Sequence, residues 1–157
     1  MRRASIFRAG QEGAVARIKD NAEFTHAGVK VLSRLVANIQ SEIDHALVSG
    51  AGLTMFVFPL HPVSAKPNMP GPHFDEVVAR VRIFENPTTN RLGFDAYDAW
   101  EEIVSEAGLH RYRIPGLAQI GHFHIDAEPF FDMSAKYPGN RVFDAIFRSQ
   151  VNLTNTP

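Results

Sequence analysis

Val77-Val78-Ala79-Arg80-Val81-Arg82-Ile83-Phe84-Glu85-Asn86-Pro87-Thr88-Thr89-Asn90-Arg91 is the stretch whose reading decides the fold. Through Phe84 it alternates with period two. Val77, Ala79, Val81 and Ile83 fall on one face, Val78, Arg80, Arg82 and Phe84 on the other. A strand with one wholly apolar face must bury that face. Pro87 then ends it, because proline has no N–H for a ladder and pushes Asn86 into an extended or turn conformation. Glu85, Asn86, Pro87 and Asn90 are therefore expected to make a structural corner rather than an active site.

Beyond the corner, Asp95 is a good N-cap, and Asp98 adds a favourable charge to the first turn of the helix it would start. Ala96, Tyr97, Trp100, Ile103, Val104 and Ala107 form the apolar stripe of that helix, Glu101, Glu102 and Glu106 lie mostly opposite, and Gly108 closes it. A further strand is predicted over Leu117–Glu128. Pro129–Ser134 breaks it, and Tyr137-Pro138-Gly139-Asn140 is a turn signal. The last strand, Val142–Leu153, turns Phe143, Ala145, Phe147 and Val151 inward, and the strands on either side of the Tyr137 turn are expected to pair antiparallel.

In the other direction, the apolar run Leu53–Phe58 predicts an inner strand that Pro59 ends. His61–His73 holds four prolines and a glycine, which predicts an irregular, protruding contact loop with Val63 and Met69 as apolar anchors. From Thr25, the steps Val29, Leu32, Leu35, Val36, Ile39, Ile43 and Leu47 predict one amphipathic helix, stopped at Gly50 and Gly52. Residues 1–24 have weak periodicity and are read as an arm, with a short strand at Ser5–Arg8 and a turn of helix at Ala14–Lys19. The expected architecture is one α+β domain over residues 25–157, in the order α-β-β-α-β-β. Its four-stranded, mostly antiparallel sheet carries both helices on one face.

Composition narrows the classes. At 157 residues and 45% apolar content the chain can bury one substantial core. No run of about 18 apolar residues predicts a membrane span, and no apolar segment follows the basic start Met1-Arg2-Arg3, so a secretory signal is not expected. Without cysteine there is no disulfide, thiolate site or cysteine nucleophile. Net charge is −1 but unevenly spread: residues 1–20 balance to +3 and residues 72–110 to −5. That asymmetry suits copies that meet head to flank, and equally two solvated patches. No basic stripe suggests a nucleic-acid reader.

His122, His124 and Asp126 would project from one side of a strand and offer metal ligands. Three such positions span ~13 Å, too far for one ion, so His110 or His73 would have to converge on them. No metal site, cofactor or catalytic residue is assigned. Thr88, Thr89 and Asn90 lack the glycine-rich loop and lysine of a phosphate site.

The series of helix, apolar strand, loop, Val-rich strand ending in Glu85-Asn86-Pro87-Thr88-Thr89-Asn90-Arg91, then a helix ending near Leu109-His110, resembles small neck proteins of long-tailed bacteriophages. The tail terminator or tail-completion group is the nearest, over roughly residues 26–153. The resemblance implies a structural virion protein, not an enzyme. It would be a homo-oligomeric ring, usually hexameric, assembled in the host cytoplasm, that caps the tail tube and offers a surface to the head–tail connector protein. DNA would pass through its lumen unread. It places subunit or tube contacts on the Pro62–Pro72 loop, here Val63, Lys66 and Met69. Unlike patches for a head-to-tail interface come from the basic arm, Arg2, Arg3 and Arg8, and the acidic helix, Asp98, Glu101 and Glu102. The arm and the Pro129–Tyr137 segment exceed the family pattern. Another minor tail or baseplate protein and a small metal-binding enzyme using His122 and His124 are the alternatives.

Overall fold

The computed structural model describes residues 5–33, 38–64, 74–105, 109–126, 131–132 and 137–151. Its helices are α1 (Ile6–Lys19), α2 (Ala22–Ala27), α3 (Ile39–Val48) and α4 (Ala96–Ser105), with a 3-10 turn at Leu109–Arg111. Its strands are β1 (Lys30–Ser33), β2 (Leu53–Val57), β3 (His61–Val63), β4 (Glu76–Glu85), β5 (His124–Ile125), β6 (Phe131–Asp132) and β7 (Arg141–Gln150). They form one mixed sheet in the order β1-β2-β4-β7-β5; β3 pairs with β4, and β6 with β7. Only β1 and β2 run parallel among these pairings.

The decisive strand is β4, at the centre, with β7 along its whole length from Glu76↔Gln150 to Glu85↔Arg141. Val77, Ala79, Val81 and Ile83 are fully buried, as their alternation requires. They join Leu53, Met55, Val57, Phe143, Ala145 and Phe147 in a core capped by Ala14, Val15 and Ile18 of α1, Phe24 of α2, and Ala96, Ala99 and Ile103 of α4. The opposite face holds a smaller cluster, in which Ile43 and Leu47 of α3 cover Leu32, Phe84 and Val142.

The mixed α+β class and mostly antiparallel sheet agree with expectation, but several finer expectations do not. The sheet has seven strands among the described residues, not four, and helices pack on both faces. The single helix expected from Thr25 is α2, β1 and α3. Gly28, at φ 74°, ends α2, and the Asn38 side chain accepts from Ser41 N to start α3. Between them Lys30–Ser33 pairs in parallel with Thr54–Val57, a long-range gain that local periodicity cannot register. The strand expected at Leu117–Glu128 shrinks to β5 plus a bridge from Gln119 to Val151. His61–Val63, expected to be irregular, is the edge strand β3; proline is tolerated at such an edge. Ser5 caps a helix rather than opening a strand, and α1 lies in the core instead of forming an arm.

One buried polar group shows how α1 is held. Val57 faces Val81 and His61 faces Val78, so Phe58-Pro59-Leu60 spans a gap only two residues wide on β4. This β-bulge frees backbone groups from the ladder. Gln11, buried on α1, supplies both replacements: its Nε2 donates to Val57 O at 3.0 Å, and its Oε1 accepts from Leu60 N at 3.1 Å. On the same helix, Gly10 and Gly13 let the Tyr112–Ile114 segment approach, and a Cβ on Gly13 would collide with the Tyr112 hydroxyl. That hydroxyl donates to Gly10 O at 2.7 Å.

Gln11→Ala strands two buried backbone groups, so thermal or urea unfolding should show a loss of roughly 1–3 kcal/mol. Gln11→Glu cannot donate to Val57 O and should not restore the wild-type value. Burial raises the Tyr112 phenol above its ordinary 10.0. Its neutral form therefore adds stability that is complete below about pH 10 and lost as pH rises through the raised value. Ultraviolet titration should show one of the three tyrosines ionising late, and Tyr112→Phe should remove that step.

Candidate functional site

Two places on the sheet gather polar side chains, and they differ in whether those side chains are already satisfied. The first is the corner after β4. The Glu85 carboxylate, 2% exposed, accepts from Asn90 Nδ2 at 2.7 Å, Ala96 N at 3.3 Å and Arg141 at 3.3 Å. Asn86 Nδ2 and Thr89 Oγ1 both donate to Leu47 O, a carbonyl at the end of α3. Asn90 Oδ1 accepts from Leu92 N, and its Nδ2 also donates to Phe94 O. Asp95 and Asp98 cap α4 reciprocally: Asp98 N donates to Asp95 Oδ1 and Asp95 N to Asp98 Oδ2. A shallow depression of about 360 Å³ opens here beside Pro87. Its polar side chains are committed to holding β4, α3 and α4 together, which is the work of a joint.

The second place is the part of the sheet that α3 leaves uncovered. Alternation brings Val78, Arg80 and Arg82 of β4 to this face, beside Asp144, Ile146 and Arg148 of β7. Alternation from Phe56 brings Phe58 onto it too, opposite Arg80, with the two rings at a centroid distance of 4.7 Å. Arg80 and Arg82 both lie over the Phe58 ring, at 5.5 and 5.3 Å from its centroid. Phe58, His61, Val78, Arg80, Ile146 and Arg148 line a pocket of about 330 Å³.

The three arginines are not equivalent. Arg82 grips Asp144 with two hydrogen bonds, of 2.7 and 2.9 Å; this raises its pKa and keeps it charged. Arg148 is held by Asp126 at 2.9 Å and Glu76 at 3.3 Å, and its pKa is raised too, chiefly by Asp126. Arg80 has no carboxylate among the described residues, and its Nε is buried without a hydrogen-bond partner. Its guanidinium is supported by Phe58, and among the described residues nothing neutralises it. Chemically, the pocket offers a flat cation without an ion pair among the described residues, beside the half-buried apolar Pro59 and Val63. That suits a carboxylate carried next to an apolar group.

The expected contact residues are dispersed. Arg8 is exposed on α1, and Val63 is half-buried at the mouth of the pocket. Arg2, Arg3, Lys66 and Met69 lie outside the described residues, as do His73, Glu106, Ala107 and Gly108. Asp98 and Glu101 are exposed on α4, whereas the Glu102 carboxylate is engaged internally, accepting from Asn21 at 2.8 Å. Tyr97, expected in the apolar stripe of α4, is 51% exposed. His122 and His124 are exposed, and Asp126 is tied to Arg148. Among the described residues no three potential ligands cluster as a metal site. His110 sits in the 3-10 turn with Nδ1 buried and unpartnered.

Phe58, Arg80 and Ile146 were not singled out from sequence as a site. The available signal was two arginines on the outer face of a strand whose other face is wholly apolar. No family model, curated protein or solved structure matches the chain.

The contrast between Arg80 and Arg82 is measurable. Arg82→Met leaves Asp144 buried and unpaired and should cost about 3–5 kcal/mol. Arg80→Met removes an unpaired cation and should leave the unfolding midpoint unchanged or raise it.

Proposed function

We propose that this chain is a structural subunit of a bacteriophage tail, of the tail terminator or tail-completion kind, which forms a ring at the end of the tail tube and meets the head connector. The observation that carries the reading is the Glu85–Arg91 corner, which joins the central strand to the acidic helix α4 and ties both to the end of α3. The Val-rich strand, corner and helix follow one another as they do in the resemblance given above.

A second support is physical. A closed ring needs one patch that fits a different patch on the next copy. The pocket around Arg80 and the exposed acids of α4 are unlike in charge and sit on opposite faces of the sheet. An acidic lumen would let DNA slide, since counterion-mediated adhesion needs lysine or arginine.

Sedimentation of the purified chain, alone and with tail tubes, tests the proposal. A hexamer, or a species that forms on tube ends, is expected, with electron microscopy locating it at the neck. A strictly monomeric protein that ignores tubes would overturn it.

A further inference from the structure

Arg80 is a cation with a buried, unpartnered Nε and no ion pair among the described residues, and its setting limits what can neutralise it. The guanidinium lies against Phe58, so a ligand must reach its edge from the pocket side, past the half-buried apolar residues Pro59 and Val63. A small inorganic anion would leave those apolar walls wet. A carboxylate beside an aromatic ring would satisfy both.

The chain presents that combination on α4. Tyr97 is 51% exposed although its ring packs on Phe143 at 4.8 Å, and Arg141 lies 5.9 Å from it. Glu101 follows one helical turn later, exposed, its carboxylate without a partner among the described residues. Positions four apart lie about 5–6 Å apart on one helix face, so one stripe can bring an aromatic ring and a carboxylate to the pocket together. The exposed apolar side chains divide in the same way. Tyr97 and Val48 lie at the Glu85 end of the sheet, Phe74 and Ile120 at the Glu76 end, near the pocket.

We infer that the Arg80 pocket receives the Tyr97–Glu101 stripe of a second copy of this chain, Glu101 pairing with Arg80 and Tyr97 packing against Pro59 and Val63, the half-buried apolar residues of the pocket lining. This rests on the self-assembling reading above. Pocket and stripe occupy opposite faces of one sheet, so neither reaches the other within a chain. Each copy gives its stripe to one neighbour and its pocket to another, a heterologous contact that propagates until it closes.

The test uses the full chain in sedimentation velocity, with circular dichroism to confirm folding. Arg80→Glu and Glu101→Arg are each expected to weaken assembly at least about tenfold, because each puts like charges together. An equimolar mixture of the two variants should assemble again, since every interface in an alternating ring then carries opposite charges. Misfolded variants could not produce that rescue. If wild type assembles and either variant alone assembles as tightly, or the mixture fails to, this contact is wrong and the ring reading stands. If wild type stays monomeric with and without tubes, both fall.

Discussion

A buried carboxylate must be met by donors from whatever surrounds it, and at Glu85 those donors come from three separate parts of the chain. The Asn90 amide belongs to the turn, the Ala96 N–H to the start of α4, and the Arg141 guanidinium to the start of β7. Satisfying Glu85 therefore fixes where α4 begins relative to the two central strands. With Ala96 pinned, helical geometry turns Ala99 and Ile103 into the core and leaves Tyr97, Asp98 and Glu101 outside. The exposed stripe is thus a consequence of an internal hydrogen-bonding requirement. Gly52 is part of the same constraint. At φ 81° it donates to Ala46 O and accepts from Asn86 N, in a space where a side chain would strike Asn90.

Gln11 does at the other end of the sheet what Glu85 does at the corner. The bulge at Phe58–Leu60 takes Val57 O and Leu60 N out of the ladder, and an amide on α1 meets that cost on the core side.

Much of this was legible in sequence where the signal is local. Period-two alternation placed every β4 side chain on its proper face, and Phe143, Ala145, Phe147 and Val151 of the last strand are buried as their pattern requires. Asp95 and Asp98 were readable as a helix start. What failed depended on distant partners. Lys30–Ser33 becomes a strand because β2 is beside it, and Val29, Leu32 and Ile39 mimic helical spacing although a strand lies between them; Leu35 and Val36, expected in the same helix, lie outside the described residues. Gln11 was overlooked although Ala14, Val15 and Ile18, three, four and seven residues on, put it on a buried face. Phe58 lies on the face that its alternation with Phe56 requires, but alternation does not say which part of that face α3 leaves open.

The position of β7 in the chain has a further consequence, for biosynthesis. It pairs with β4, β5 and β6, so the β7 side of β4 has no partner until the residues after Asn140 have been made. A growing chain on the ribosome can form its local helices early. Until β7 emerges, though, β4 is paired on one side only, with β2 and β3, and its other side is an open strand edge with one apolar face, the kind of edge that invites other chains to add to it.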